Sequence, residues 1–444
     1  LVTGVQTCAL PILILFSALI AISIKGLIKP PETATPGGSV GMAMLSIPLY
    51  AFMAMNSGFN FLFQAHYSGL AIYLGQMMEL SGVFLNLALY IWVGMLLKQT
   101  RVVDLFLNIV RPWKFSPEVL TYIILVAAAI PTAYTGASGI FVIAAGAVIY
   151  KEVFASGARR QYALAATAMS GSLGVVLSPC LLVVVIAALN KEVTTSLLYS
   201  QGVNVFLLSS TMFLIISLII AKEKFKLAKP SIALPQSMRA FVPVSPYIVI
   251  SIIVVMVYRF ILDTKLDEFT APMILPFIML AIVWFDKIRR EPAADVTPEI
   301  QERRIGFEEG VRVATNDTIG HIGALIMLMA LSVSVGGVIE RSGIMSSIPH
   351  SFDNIYLAAT ILLGLLVFVG MVMDPFGAVI LVSATVAPVA YNNGIDPIHF
   401  WMIVLVAFEF GYVTPPVALN HLLTRLSVGD EEVSAADKEA KEKY

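Results

Sequence analysis

Charge is scarce in this chain. Asp, Glu, Lys and Arg make up 13% of its 444 residues, 58% are hydrophobic, and the mean hydropathy is +0.87. A soluble domain carries about a quarter charged residues, so an ordinary water-soluble fold is excluded. The chain reads as an all-α polytopic membrane protein set in a lipid bilayer. Cysteine is nearly absent: only Cys8 and Cys180 occur, the second inside an apolar run, which rules out a disulfide framework. No G-x-x-x-x-G-K-[ST] loop is present to cradle a nucleotide phosphate, and no His, Cys and carboxylate cluster has metal-ligand spacing. With a formal net charge of -1, nothing points to nucleic acid. The expectation is a non-enzyme with no cofactor, driven by an ion gradient rather than by ATP hydrolysis.

Glycine and proline, in contrast, are plentiful, with 30 and 23 copies, and several interrupt apolar runs. A membrane helix needs about 20 apolar residues, and a re-entrant arm roughly 10 to 14. Leu13–Ile28, Met42–Phe63, Val83–Leu97, Val203–Ala221, Val242–Leu262, Thr270–Phe285 and Thr318–Ile339 read as uninterrupted spans. Four longer stretches are punctuated near their middles: Leu120–Phe154, Tyr162–Leu189, Tyr356–Tyr391 and Phe400–Leu426. Gly174–Pro179 (GVVLSP) and Gly411–Pro416 (GYVTPP) stand 237 residues apart, and the same offset carries Thr135–Ser138 onto Val372–Pro375. Unwound backbone is tolerated at membrane depth only where it lines an enclosed site, as in secondary transporters. Any single break has a simpler reading as a kink, since Pro and Gly are common in membrane helices; four breaks matched at one offset favour the site. Leu120–Phe154 and Tyr356–Tyr391 are expected to be hairpins that enter and leave on one side, with tips at Thr135–Gly139 and Met373–Gly377, and the other two to be broken spanning helices.

At the breaks, Ser178–Pro179, Asp374–Pro375 and Thr414–Pro415 each pair a good N-cap with Pro at the first helical position. Helix N-termini aimed into a site favour a carboxylate, while unwound carbonyls hold a small cation. Lys/Arg bias places the connections Lys222–Arg239 and Asp286–Arg312 in the cytoplasm, with the mixed Asp263–Glu268 between them on the other side.

The residues at these breaks resemble the large membrane subunit of a tripartite ATP-independent periplasmic (TRAP) transporter. The resemblance rests on Thr135–Ser138, on Ala165–Pro179 (AATAMSGSLGVVLSP) and on Met373–Pro375. Most specific is Gly394–Phe400 (GIDPIHF) followed by Glu409–Gly411 and Thr414–Val417 (TPPV); about residues 41 to 427 are covered. It implies inverted repeats like those of the ion-transporter superfamily, with two re-entrant hairpins and two broken helices. It further implies sodium-driven, elevator-type uptake of an organic acid, often a carboxylate, across the bacterial inner membrane. The partners implied are a periplasmic substrate-binding protein and a small permease subunit. The chain departs from the family pattern at Ser178, where Pro is usual, at Ala418, where Gly is usual, and at Ala407, where Asn is frequent.

The expected organisation follows. Residues 1–12 resemble the translation of a sequencing adapter and are set aside. Residues 13–40 read as the last helix of a truncated, fused small subunit plus the linker Pro30–Gly38. Residues 41–230 form the N-terminal repeat, 231–317 connecting spans and a cytoplasmic loop, 318–428 the C-terminal repeat, and 429–444 a disordered charged tail. Glu299–Arg312 is expected to be an amphipathic surface helix.

Small hard cations take oxygen ligands. The candidate sodium ligands are Thr135, Gly136, Ser138, Gly174, Ser178, Ser332, Ser334, Asp374, Gly411, Thr414 and Pro415; the candidate substrate residues are Ser138, Gly139, Asp374, Pro375 and Glu409. The competing roles are structural: hydroxyls that cap exposed N–H groups, Asp374 as an N-cap, and Ser332 and Ser334 packing between helices. Glu409 either ligates the coupling ion, is protonated, or braces the unwound segment, since an intramembrane acid is costly to bury. His399 is expected to pack or cap. No Arg stands at a break to clamp a carboxylate. A self-sufficient sodium- or proton-coupled carboxylate symporter is the alternative within transport, and an ion-translocating subunit of a redox complex the alternative outside it. The latter predicts Lys and Glu at mid-span in several helices, whereas here intramembrane charge is sparse.

Overall fold

The structure, a computed structural model, describes residues 49–288 and 306–443 except 80, 137, 222–227, 268, 343–351, 374 and 416–418, plus scattered positions between 14 and 29. Every regular element among the described residues is helical. The apolar runs become α1 (Leu49–Phe63), α2 (Leu70–Glu79), α3 (Ser81–Lys98), α5 (Pro117–Thr135), α6 (Ser138–Ala155) and α9 (Thr195–Ile220) in the first part of the chain. They continue in α11 (Ser245–Ile261), α12 (Ala271–Ile288), α13 (Phe307–Ser342), α14 (Ile355–Val372), α15 (Pro375–Asn392) and α16 (Pro397–Tyr412). Shorter helices complete the fold: α4 (Val102–Val110), α7 (Arg160–Ala168), α8 (Leu181–Leu189), α10 (Pro230–Phe241), α17 (Leu419–Val428) and α18 (Asp430–Lys443).

All four interruptions fall where Gly and Pro mark them. The α5–α6 pair is interrupted between Thr135 and Ser138 and the α14–α15 pair between Val372 and Pro375, and α7 and α8 are separated by irregular backbone, while α16 ends before α17 begins at Leu419. The spacing of 237 residues that relates the motifs also relates the helices: Ser138–Ala155 falls on Pro375–Asn392, and the start of α7 at Arg160 falls on the start of α16 at Pro397. Among the described residues, seven helical segments are long and apolar enough to cross a membrane, the four hairpin arms among them. The described positions between 14 and 28 are helical and exposed; the linker Pro30–Gly38 and residues 42–48 lie outside the described residues.

Burial divides the molecule. Within its apolar window, 72% of α15 and 61% of α6 are buried, against 11% of α9 and 6% of the α10–α11 stretch. The second hairpin arms α6 and α15 therefore lie in the interior, while α14 is only 28% buried, and the outer helices turn Leu207, Ile219, Ile252 and Phe260 outward as lipid-facing surface. One core joins the two halves: Val175, Cys180, Leu181 and Ile186 pack with Phe376, Val379, Trp401 and Phe408. Trp401 is fully buried and donates its indole N–H to the Tyr391 hydroxyl at 2.8 Å, which satisfies the one polar atom of the largest side chain in that core.

Several expectations change. The basic connection Lys222–Arg239 is partly α10, whose Ser237 hydroxyl donates to the Ile109 carbonyl of α4 at 2.7 Å. Asp286 is no loop residue but ends α12, buried, where it accepts from the Arg101 N–H and guanidinium at 2.8 and 3.0 Å. Phe307–Arg312 opens the 36-residue α13 rather than forming a separate surface helix; 299–305 lie outside the described residues. The tail is not disordered: residues 430–443 form α18, held by partners that no local pattern reveals.

Candidate functional site at the meeting of the helix breaks

The tip of the first hairpin sits on the N-terminus of α8. Gly136 ends α5 in the left-handed region, φ 65°, with its N–H on the Thr132 carbonyl at 2.9 Å. Glycine takes this conformation without a Cβ penalty. A Cβ there would lie 3.0 Å from the Leu181 nitrogen and 3.3 Å from Cys180 Sγ. The broken helices repeat a second device. A Cβ on Gly174 would fall 2.4 Å from the Ala129 carbonyl oxygen of α5, and one on Gly411 2.5 Å from the Gly370 carbonyl carbon of α14. Each break thus presses its glycine against the first arm of the hairpin in its own half, the close backbone approach that small residues permit in membranes.

These contacts gather oxygen atoms. Ser138, the first residue of α6, is 3% exposed, and its hydroxyl accepts from Asn420 Nδ2 at 3.1 Å. Asn420 belongs to α17 and is fully buried. Gly171, in the first break, lies directly against the Ser138 backbone, which brings the adjoining Ser172 to the same place. From the other half, Glu409 of α16 is 9% exposed and sets its carboxyl beside the hydroxyls of Ser172 and Ser138. It does so without closing every hydrogen bond: Ser170 Oγ, Ser172 Oγ and Glu409 Oε2 are all buried without a partner. Leaving a buried polar atom unsatisfied costs about 1–3 kcal/mol. The unpaired oxygens of Ser172 and Glu409, beside the Ser138 hydroxyl where the two breaks meet, form an oxygen-lined site of the kind small hard cations take.

The other candidates are distributed differently. Gly139 is buried against Leu423 and Asn420 and so belongs to the same place. Ser334 is buried in α13 with its hydroxyl donated to the Ala330 carbonyl at 2.7 Å. Pro375 is the first residue of α15, as expected, while Asp374 and the side chains of Thr135 and Ser332 lie outside the described residues. Two expected N-caps are corrected. Ser178 and Pro179 are the central residues of a turn closed by Cys180 N–H on the Leu177 carbonyl at 3.0 Å, so Ser178 is exposed and Cys180 takes the cap position of α8. Thr414 closes α16 instead of opening α17: its hydroxyl donates to the Phe410 carbonyl at 2.7 Å and its N–H to the Gly411 carbonyl at 3.0 Å. Pro415 is exposed beyond it. The His399 N–H is capped by Asp396 at 3.0 Å, which accounts for that pair structurally.

Ser170, Ser172 and Asn420 were not singled out from sequence. The signal available was the Ser-Gly-Ser triplet 170–172 inside an apolar run, polar residues flanking a glycine where the chain must unwind.

Among the described residues, interrupted apolar helices enclose buried oxygens without hydrogen-bond partners, and irregular backbone at membrane depth is tolerated where it lines an enclosed site. The chain belongs to the tripartite ATP-independent periplasmic transporter family as its large permease, DctM component: that family's model matches residues 37–435. It is 24% identical over 300 residues to the C4-dicarboxylate TRAP transporter large permease protein of Vibrio cholerae serotype O1, covering 66% of this chain and 65% of that protein. The corresponding protein of Pseudomonas aeruginosa is 23% identical over 302 residues, 67% of this chain and 66% of its own length. The isethionate TRAP transporter permease protein DctMQ of Oleidesulfovibrio alaskensis is 27% identical over 109 residues, 23% of this chain and 17% of its own. The chain thus spans under two thirds of the length of each of these relatives.

Proposed function

We propose that this permease uses an inward sodium gradient to import an organic acid, a carboxylate, that a periplasmic binding protein delivers to it in the inner membrane. The observation that carries the reading is the cluster of buried oxygens from Ser138, Ser172 and Glu409, one hydroxyl and one carboxyl oxygen being unpaired. Hydroxyl and carboxylate oxygens suit sodium, and the charge of Glu409 offsets that of the ion. Thr135, Asp374 and Ser332 remain candidate ligands on sequence grounds. A carboxylate as substrate is favoured by the relatives named for C4-dicarboxylates, and a small permease partner, fused or separate, by the name of the DctMQ relative.

Elevator movement is supported by the burial contrast between the second hairpin arms α6 and α15, which lie inside, and the exposed apolar helices α9, α10 and α11. The test is uptake of labelled succinate into proteoliposomes holding the full chain, its small subunit and the cognate binding protein. Uptake that requires both the binding protein and inward sodium is the expected result. Uptake indifferent to sodium overturns the coupling, and uptake without the binding protein supports a self-sufficient symporter instead.

A further inference from the structure

The charged end of the chain has the composition of a solvated tail, yet it folds and fastens itself to the transport machinery. Isolated helices of this length are marginal in water, so the order of α18 comes from what it touches. Ala436 is 2% exposed and seats the helix on α7. Gln161 Nε2 donates to the Ala436 carbonyl at 3.0 Å, and Arg160 Nε donates to Glu439 at 2.7 Å. A second guanidinium N–H of Arg160 reaches Glu432, which also accepts from the Tyr150 hydroxyl at 2.6 Å. The Arg160 guanidinium lies 4.7 Å over the Phe154 ring. Asp430, Glu431 and Glu432 fill the first turn, where they complement the helix dipole.

The contacts join three elements of separate origin. Tyr150 and Phe154 end α6 of the first hairpin, Arg160 and Gln161 start the first broken helix, and α17, which runs into α18, ends the second broken helix. The far ends of these same elements supply Ser138, lead into Ser170 and Ser172, and supply Asn420. An exposed ion pair alone contributes little. Here one guanidinium spans two carboxylates and a ring, and one carboxylate also serves the tyrosine, so the contacts depend on one another.

We propose that α18 is a strap, with Arg160 as its positioning residue, that makes the first hairpin and the two broken helices move as one body. Its consequence for transport rests on the reading above; its existence as a strap does not. The inert alternative is a tail that lies on the surface and contributes nothing to movement. Two experiments on the full chain in proteoliposomes separate them. The first follows tryptic cleavage at Lys438 and Lys441 with and without 1 M KCl. Arg160→Gln is expected to speed cleavage at least tenfold, Arg160→Lys to fall between it and the wild type, and salt to move the wild type toward Arg160→Gln. Equal cleavage of wild type and Arg160→Gln overturns the strap whether or not any uptake is seen.

The second joins Gln161→Cys to Ala436→Cys with a short thiol cross-linker, Cys8 being changed to Ser and the native Cys180 being buried, and measures sodium-driven uptake of labelled succinate. A strap that travels with the moving body leaves at least half the uptake in the cross-linked protein, while Arg160→Gln without the link loses threefold or more. Loss of uptake on cross-linking, restored when a cleavable linker is cut, means that the tail must detach during transport and sinks the proposal.

Discussion

The two helix breaks share a geometry and divide the chemistry. Gly174 and Gly411 press on the first arms of their own hairpins in the same manner, with a Cβ on either falling within 2.5 Å of backbone. Their polar neighbours differ. The first break is preceded by Ser170 and Ser172, neutral hydroxyls without partners, whereas the second is preceded by Glu409, an acid inside the helix. A backbone device can be repeated because it depends on the absence of a side chain. Ligand chemistry need not be: a single carboxylate suffices for a monovalent cation, and two buried acids side by side would repel one another. On the proposed sodium reading the site is composite, with its acid from one half and its unpartnered hydroxyls from the other.

If that division is right, the largest effect comes from the charged side. Glu409→Gln keeps the shape and removes a carboxyl oxygen that could hold the ion. Interactions with a charged group are worth about 1.5–3 kcal/mol, which corresponds to roughly a 10- to 100-fold change. The expected result is a rise of that size in the sodium concentration giving half-maximal succinate uptake, with the protein still folded. Ser172→Ala, on the neutral side, is expected to raise it about fivefold, for a contact of about 1 kcal/mol. Equal effects from the two variants would erase the distinction between the breaks.

The shared geometry is tested by Gly174→Ala and Gly411→Ala. Each inserts a methyl against backbone that cannot step aside as a side chain would. Overpacking of this kind costs about 1–3 kcal/mol, so both should lower the thermal midpoint in detergent by several degrees. A drop in only one would show that the halves are not packed alike. Asn420→Ala comes next: it removes the amide that donates to Ser138 at 3.1 Å and should cost about 1 kcal/mol in stability, read in the same thermal assay.

What sequence made legible was whatever depends on a long apolar run or on Gly and Pro within one. The limits of α6 and α15, the four breaks, and Ser138 and Glu409 as polar groups at breaks are of that kind. The rest depends on partners distant in the chain. The α10 helix was read as part of a basic loop because its stability comes from α4, and α18 as a disordered tail because Arg160 and Gln161 stand some 270 residues away. Ser178 and Thr414 look like N-caps, and each has good N-cap chemistry, but a turn takes one and the preceding helix takes the other. Asn420 could not be read as a site residue because its partner, Ser138, lies in the other half.

The smallest effect sharpens the comparison at the outer ends of the broken helices. Asp396 precedes α16 and its carboxylate accepts from the N–H groups of Ile398 and His399 at 2.9 and 3.0 Å. Its counterpart at the shared spacing is Arg159 before α7, where no side chain caps the helix. The contrast has a physical reason: α7 begins with Arg160 bound to the acidic α18, so its first turn is fixed from outside, while α16 must fix its own. Removing an N-cap costs about 1 kcal/mol. Asp396→Ala should therefore lower the thermal midpoint by a few degrees and Asp396→Asn, which keeps an accepting oxygen, by less. Arg159→Ala should leave it unchanged while α18 is present. If Arg159→Ala proves as costly as Asp396→Ala, the outer ends of the two broken helices are secured by the same means, and only the buried oxygens distinguish the halves.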